Sequence, residues 1–323
     1  MDMLAQLSLA GLVPVIKIKN ALDAVPLCQA LKNGGLPVAE ITFRTDAAEE
    51  AIARVHEALP DILLGAGTVL TCEQADRAWK AGAGYIVSPG LNPTVVAHCV
   101  EKGYPVLPGC ANPSDIETAI SFGLKTVKLF PAEALGGLKL IKAMSAPYGD
   151  IHFVPTGGIN EKNLGDYLAF SKIAACGGSW MVPEEDVTNQ RWEHVEELTR
   201  NAVNTMLNLR LVHIGINAGT EENALRQAKL FASLLNLNVK DAPTSYFVGN
   251  QSGNSVEVMK VPFLGKNGHI AVATPNVERA RWHLEQKGFA FDEATATYLP
   301  DGSMKLIYLR DEIADFAVHL VKG

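Results

Sequence analysis

The chain predicts an α/β protein: a (β/α)8 TIM barrel over residues 1–207, followed by a smaller α+β domain of two βαβββ modules over residues 208–323. Three observations carry this. Eight short apolar runs alternate with segments of helical period up to about residue 207. The helical segments open on Thr, Asn or Asp and close on glycine, the expected cap chemistry. From about Leu209 the texture changes and a twofold internal repeat begins. The length of 323 residues suits two domains, and 48% hydrophobic with 20% charged residues is the balance of a chain that buries a core.

In order along the chain, the strand runs are Val13–Lys17, Val38–Phe43, Leu63–Val69, Tyr85–Gly90, Val106–Ala111, Thr126–Ala132, His152–Gly158 and Ala175–Trp180. Helical stretches such as Asp46–Leu59, Thr71–Ala81, Asn92–Lys102 and Pro113–Phe122 fall between them, several ending at Gly82, Gly103 or Gly123. The rival architecture is a doubly wound open sheet. The barrel is preferred because the count is eight and because no run leads into the GxGxxG turn of a dinucleotide site.

Composition excludes several classes of partner. A net charge of −7, a pI near 5.7 and no local Lys/Arg cluster give no electrostatic footprint for nucleic acid. The N-terminus, Met1 to Gln6, lacks a basic and then apolar leader, and no stretch reaches the roughly 18 uninterrupted apolar residues of a membrane helix. A cytoplasmic protein with no membrane partner is expected. The five cysteines, Cys28, Cys72, Cys99, Cys110 and Cys176, form no CxxC pair. Their odd count fits reduced, mostly buried thiols better than disulfides or zinc.

In a barrel of this kind, chemistry belongs at the C-terminal ends of the strands. Lys128 stands in the apolar run Thr126–Ala132. The period of two puts Thr126, Lys128 and Phe130 on one face, with Val127 and Leu129 turned to the helices. Desolvation disfavours an ammonium there, and a free amine attacks ketones to form a Schiff base. In the second run Glu40, Thr42 and then Arg44 share a face, so a glutamate, a lysine and an arginine converge on one lumen. The bland alternative is a buried Glu40–Lys128 ion pair with no chemistry. Thr156-Gly157-Gly158-Ile159-Asn160 after the seventh run and Gly177-Gly178-Ser179-Trp180 ending the eighth are glycine turns in the loops where barrels hold phosphate. Either pair alone reads as a tight turn. Both together favour an anion site.

These blocks carry a family resemblance. Glu40-Ile41-Thr42-Phe43-Arg44-Thr45, Gly65-Ala66-Gly67-Thr68-Val69, Ser88-Pro89-Gly90, Val127 to Glu133, Pro155 to Ile159 and Gly177 to Trp180 resemble the 2-keto-3-deoxy-6-phosphogluconate / 4-hydroxy-2-oxoglutarate aldolase family over about residues 5 to 207. The resemblance implies class I, cofactor-free retro-aldol cleavage of a phosphorylated keto acid to pyruvate and an aldehyde, in a trimer. It makes Lys128 the Schiff-base lysine and Glu40 the general acid/base. It gives Arg44 and Thr68 the pyruvyl carboxylate, packs Pro89 and Phe130 on the substrate, and sets Thr156, Gly157, Gly158 and Ser179 around the phosphate. Phe43, where many members carry leucine, and Cys110-Ala111-Asn112 depart from the family pattern.

The last third repeats. Leu211–Ile216, a helix over Glu221–Leu235 and runs at Ser245–Val248 and Ser255–Met259 form one unit. Gly268–Ala273, a helix over Asn276–Lys287 and runs at Met304–Leu309 and Phe316–Val321 form the second, and each reads β-α-β-β-β. This resembles the glyoxalase I type of vicinal oxygen chelate module over about residues 209 to 322. The resemblance implies a divalent transition metal on His213, Glu257, His269 and His319, with His319 standing where a second glutamate is usual. The alternative is an inherited fold used for contacts or sensing. A non-catalytic phosphate-binding barrel with a metabolite- or metal-sensing module is the corresponding rival for the whole chain.

Overall fold

The computed structural model describes residues 3–249 and 255–323; Met1 and Asp2, read above with the N-terminus, lie outside them. The chain divides into two compact units, Met1–Met206 and Leu207–Gly323.

Among its described residues the first unit contains eight strands: β1 (Leu12–Ile16), β2 (Val38–Thr42), β3 (Leu63–Gly67), β4 (Tyr85–Val87), β5 (Val106–Leu107), β6 (Thr126–Leu129), β7 (His152–Pro155) and β8 (Cys176–Gly178). Six of them pair in the order β5-β4-β3-β2-β1-β8, and β6 pairs with β7; every pairing is parallel. Parallel bridges Gly109↔Lys128 and Thr156↔Gly177 join the two ladders at both ends. The parallel sheet therefore curls back on itself as a (β/α)8-type barrel.

The observed strands stop one to four residues before the apolar runs do, most clearly at β5. The extra residues are still extended or turning, but they leave the ladder to enter the loops at the C-terminal rim. Apolarity there reflects packing over a site rather than strand pairing. Helix starts follow the predicted caps: Thr71 Oγ1 accepts from the Gln74 amide at 3.1 Å, Asn92 Oδ1 from Thr94 at 3.0 Å and Asn112 Oδ1 from Asp115 at 3.1 Å. Leu27, Leu31, Ile41, Ile52, Val55 and Phe153 are fully buried between the barrel and its helices. All five thiols are free, and burial pushes those of Cys28 and Cys110 up to about 12. No helix among the described residues is long and apolar enough to cross a membrane.

The second unit is mostly β. Its strands are β9 (Arg210–Asn217), β10 (Val239–Asp241), β11 (Ser245–Gly249), β12 (Ser255–Met259), β13 (Gly268–Thr274), β14 (Phe291–Tyr298), β15 (Met304–Leu309) and β16 (Phe316–Lys322), with helices at Glu221–Leu235 and Val277–Glu285. They form one sheet in the order β10-β11-β12-β9-β13-β16-β15-β14. The two strands that no apolar run marks, β10 and β14, are the sheet's edges. An edge strand shows water much of its surface, so Val-Lys-Asp and Phe-Asp-Glu-Ala-Thr-Ala-Thr-Tyr carry no strong alternation. Ala224, Ala228 and Ala232 of the first helix pack on Tyr246, Val248 and Val258, where small residues let the helix lie close to the sheet.

Thr71→Ala is expected to lower the unfolding free energy of the barrel by about 1 kcal/mol, and Thr71→Ser by far less, in urea titrations followed by circular dichroism. Equal losses in the two variants would show that the hydroxyl is not the cap.

Candidate active site and histidine cluster

The register Val15↔Glu40 and the bridge at Lys128 set the barrel's inner face. Glu40 on β2 and Lys128 on β6 are 88 residues apart in sequence, yet Lys128 Nζ donates to Glu40 Oε1 at 3.2 Å. Both are nearly sealed from water, at 3% and 5% exposure. The Lys128 ammonium also lies 5.6 Å from the Phe130 ring centre. The carboxylate fits because Gly67 has no side chain: a Cβ there would sit 2.2 Å from Glu40 Oε1. Tyr85, which the sequence reading passed over, is wholly buried beside Gly65, where a Cβ would stand 2.2 Å from its ring. Burial first, and the nearby Glu40 charge second, raise its phenol well above the ordinary range.

Two residues further along the same faces, the site opens into a cavity of about 280 Å³. Its wall includes Arg44, Phe130, Thr156, Gly157, Gly158 and Ser179. Lys128 and Glu40 lie one strand step deeper than Phe130 and Thr42, at the pleat spacing of two residues. Arg44 Nε donates to Thr68 Oγ1 at 3.1 Å. Thr68 holds φ at 58°, a left-handed backbone that a β-branched residue rarely adopts. Thr68 and Pro89 do not line this cavity. Pro89 instead abuts the end of β5, where a Cβ on Gly109 would meet its carbonyl oxygen at 2.1 Å. Gly109 bridges to Lys128, and directly paired residues point the same way, so this carbonyl lies on the face to which Lys128 turns. Gly157 and Gly158 both take positive φ, 97° and 85°. The loop they form is tied down from outside: Ala132 and Glu133 amides donate to the carbonyls of Thr156 and Gly157 at 2.8 and 3.1 Å. The Tyr167 hydroxyl in turn donates to Glu133 Oε1.

The arrangement is a buried lysine, a carboxylate touching it, a guanidinium at the mouth and a glycine-lined turn beyond. Residues 3–198 match the model of the family described as KDPG and KHG aldolase.

The chain belongs to that family.

Its relatives include a 2-dehydro-3-deoxy-phosphogluconate aldolase of Treponema pallidum (strain Nichols), 49% identical over 191 residues, which are 59% of this chain and 91% of that one. The KHG/KDPG aldolase of Escherichia coli (strain K12) is 39% identical over 197 residues, 61% of this chain and 92% of its own. Among solved structures, the KDPG aldolase of Legionella pneumophila, with pyruvate captured as a covalent carbinolamine, superposes with a TM-score of 0.60 at 38% identity, covering 62% of this chain and 97% of that one. The aldolase of Zymomonas mobilis ZM4, solved with 3-phosphoglycerate, superposes at 0.58 with 38% identity, covering 62% of this chain and 94% of its own.

The second unit has its own cluster. β12, β9, β13 and β16 are adjacent in the sheet. Glu257 and His269 both pair with Gly215, while His213 and His319 both pair with Ala271. Directly paired residues point the same way, so all four side chains share one face. A Cβ at Gly215 would stand 2.1 Å from the His269 ring, so glycine is what admits that imidazole. His213 Nε2 and His269 Nε2 are 3.0 Å apart, and Glu257 Oε2 lies 3.0 Å from the latter and 3.4 Å from the former. Bonds of about 2.0–2.2 Å to one ion would set ligand atoms roughly 3.0–3.5 Å apart, at octahedral or tetrahedral angles. One nitrogen from each of His213, His269 and His319 falls within 4.8 Å of the others. Both ring nitrogens of His319 and Nδ1 of His269 are buried without a hydrogen-bond partner, a state that ligation through a His319 nitrogen would relieve in part. Burial, then the neighbouring His269 and His213, push His319 down to about 4, so its ring is neutral at pH 7 as a ligand must be. Burial alone would raise Glu257, but the hydrogen bond from His269 and the other contacts hold it below its ordinary value. Tyr308, paired with His319 and 4.6 Å from it ring to ring, and Phe247, edge-on to His213 at 6.1 Å, wall the cluster. The sequence reading had not singled out either, although the strand register shows Tyr308.

Gly67→Ala is expected to push the Glu40 carboxylate off Lys128 and to slow aldol turnover on the order of 10²-fold, the usual result of a misplacement of about 1 Å. Gly149→Ala, with nothing within 4 Å of the added carbon, serves as control. Equal rates in the two variants would show that the Glu40–Lys128 geometry is not what limits turnover.

Proposed function

We propose that the first unit is a class I aldolase, an aldehyde-lyase that cleaves a 2-keto-3-deoxy-6-phosphogluconate-type acid, or 4-hydroxy-2-oxoglutarate, to pyruvate and an aldehyde. The observation that carries the reading is the Lys128 Nζ–Glu40 Oε1 contact at 3.2 Å, sealed in the lumen of a chain of this family. Lys128 Nζ adds to the C2 ketone, and loss of water from the carbinolamine gives an iminium. Glu40 takes the proton of the C4 hydroxyl as the C3–C4 bond breaks, and the bond's electron pair flows into the iminium to give an enamine. Glyceraldehyde 3-phosphate, or glyoxylate from the shorter acid, departs. A proton returned from Glu40 to C3 and hydrolysis of the imine release pyruvate and restore the amine. The iminium is the electron sink, so these steps need no cofactor. Arg44 offers a planar fork to the pyruvyl carboxylate beside the Thr68 hydroxyl, Phe130 and Pro89 enclose the carbon chain, and Thr156, Gly157, Gly158 and Ser179 hold the phosphate. The family resemblance supports a trimer acting in the cytoplasm.

For the second unit the reading is a glyoxalase-like, vicinal oxygen chelate module whose His213, Glu257, His269 and His319 hold a divalent transition metal. The shared sheet face and the 3.0–3.4 Å spacing of three donors support it. Such an ion, when bound, supplies a Lewis acid. The chain's own part is to bury His319, which lowers its pKa to about 4, and to hold the Glu257 carboxyl below its ordinary value, behind an aromatic wall.

Borohydride reduction in the presence of pyruvate is expected to leave a stable adduct on Lys128 by peptide mass spectrometry, and Lys128→Ala is expected to lose the adduct and more than 10³-fold of turnover. Unmodified wild-type protein at saturating pyruvate would sink the aldolase reading. Chelator-treated protein is expected to take up one Zn²⁺, Ni²⁺, Fe²⁺ or Mn²⁺ per chain in equilibrium dialysis, and His269→Ala to bind at least tenfold more weakly. No uptake of any of the four would leave the module without a metal role.

A further inference from the structure

One cation at the mouth of the barrel has no place in the reading above. Lys17 follows directly on β1. Because Val15 pairs with Glu40, Lys17, two residues on, extends from the same inner face and lies level with Thr42. It lines the 280 Å³ cavity together with Gly157, Gly158, Gly178 and Ser179. The charged residues of that lining are Lys17, Arg44 and Glu184. β1 stands between β8 and β2, so Lys17 flanks the glycine turn that ends β8, whereas Arg44 leans the other way to Thr68.

Glu184 links the group together. Lys19 Nζ sits 2.7 Å from Glu184 Oε1, and Lys17 Nζ reaches the same oxygen at 3.5 Å, the outer limit of a hydrogen bond. The Lys19 hydrogen bond and the charge of Lys17 hold the Glu184 carboxyl below its ordinary range. All three side chains are well exposed, so this pairing is weak and readily exchanged. A glycine cradle offers an incoming phosphate only partial charges. A doubly charged anion there gains most from a full positive charge within reach, and it suffers from a bare carboxylate beside it.

We propose that Lys17 is a specificity-determining residue for the distal end of the substrate. Its ammonium leaves Glu184 for the phosphate of the keto acid, while Lys19 keeps Glu184 neutralised and turned aside. The inference rests on the aldolase reading of the first unit and assigns to that site a charge switch selective for phosphorylated substrates.

Steady-state kinetics of Lys17→Met and Lys17→Arg, on the phosphorylated keto acid and on the same acid without its phosphate, test it. Lys17→Met is expected to lower the ratio of kcat/KM between the two substrates at least tenfold, with the loss in KM rather than kcat. Lys17→Arg is expected to keep more than a third of that ratio, and Glu184→Gln to lower KM for the phosphorylated substrate at least twofold. An unchanged ratio in Lys17→Met, or an equal fall on both substrates, overturns the assignment. Borohydride trapping of pyruvate on wild-type Lys128 separates the two readings. Without an adduct both fall, and with an adduct but an unchanged ratio only the role of Lys17 does.

Discussion

The first unit is organised around one buried contact, the Lys128 ammonium against the Glu40 carboxylate. Two charges removed from water are costly, and removing either partner would leave the other uncompensated at a cost of about 3–5 kcal/mol. The surrounding structure accommodates this pair at several points. Gly67 is bare where the carboxylate sits, Gly65 is bare where the Tyr85 ring lies behind it, and the bridge from Gly109 fixes the height of Lys128 along the lumen. A hydrophobic pair would pack there at no such expense. The charges make sense as reactive groups held at contact distance before any substrate arrives.

Polar groups then become more exposed in steps along the barrel axis. Lys128 and Glu40 are sealed, Arg44 and Thr68 stand at the mouth, and the glycine turns after β7 and β8 face the opening. A substrate with a ketone at one end and a phosphate at the other matches that gradient. In the proposed mechanism the buried end does the covalent chemistry, where water is scarce. The open end needs only charge and backbone amides, and these can be exposed without losing their purpose. The same region carries backbone strain at Thr68, whose left-handed backbone is part of the loop that meets Arg44.

The second unit solves a comparable problem with a sheet instead of a barrel. Its four central strands bring His213, Glu257, His269 and His319 onto one face, and Gly215 clears the space between two of them. Three neighbouring imidazoles and a carboxylate repel or trap protons in ways that cost stability. Leaving both nitrogens of a buried His319 unpartnered adds to that cost. The metal proposed for this module would bind these lone pairs and offset that cost.

Much of this was legible in the residues themselves. The alternation of apolar runs and capped helical segments gives the barrel, and strand parity alone sends Lys128, Glu40 and Arg44 to one lumen, because side chains in a strand alternate with a period of two. Parity could equally have marked Lys17, two residues beyond Val15, and Tyr308, opposite His319. Local pattern does not reveal where pairing ends, so the runs overshoot the strands into the rim loops. It also fails at β10 and β14, whose polar edges carry little alternation. The sequence by itself determined which residue types face inward and in what order the elements come. Only the tertiary structure decided that Lys128 touches Glu40, that Lys17 and Lys19 share one oxygen of Glu184, and that three histidines and a glutamate meet on one sheet face. Those contacts join residues far apart in the chain, and their distances depend on strand register and on the bare glycines between them.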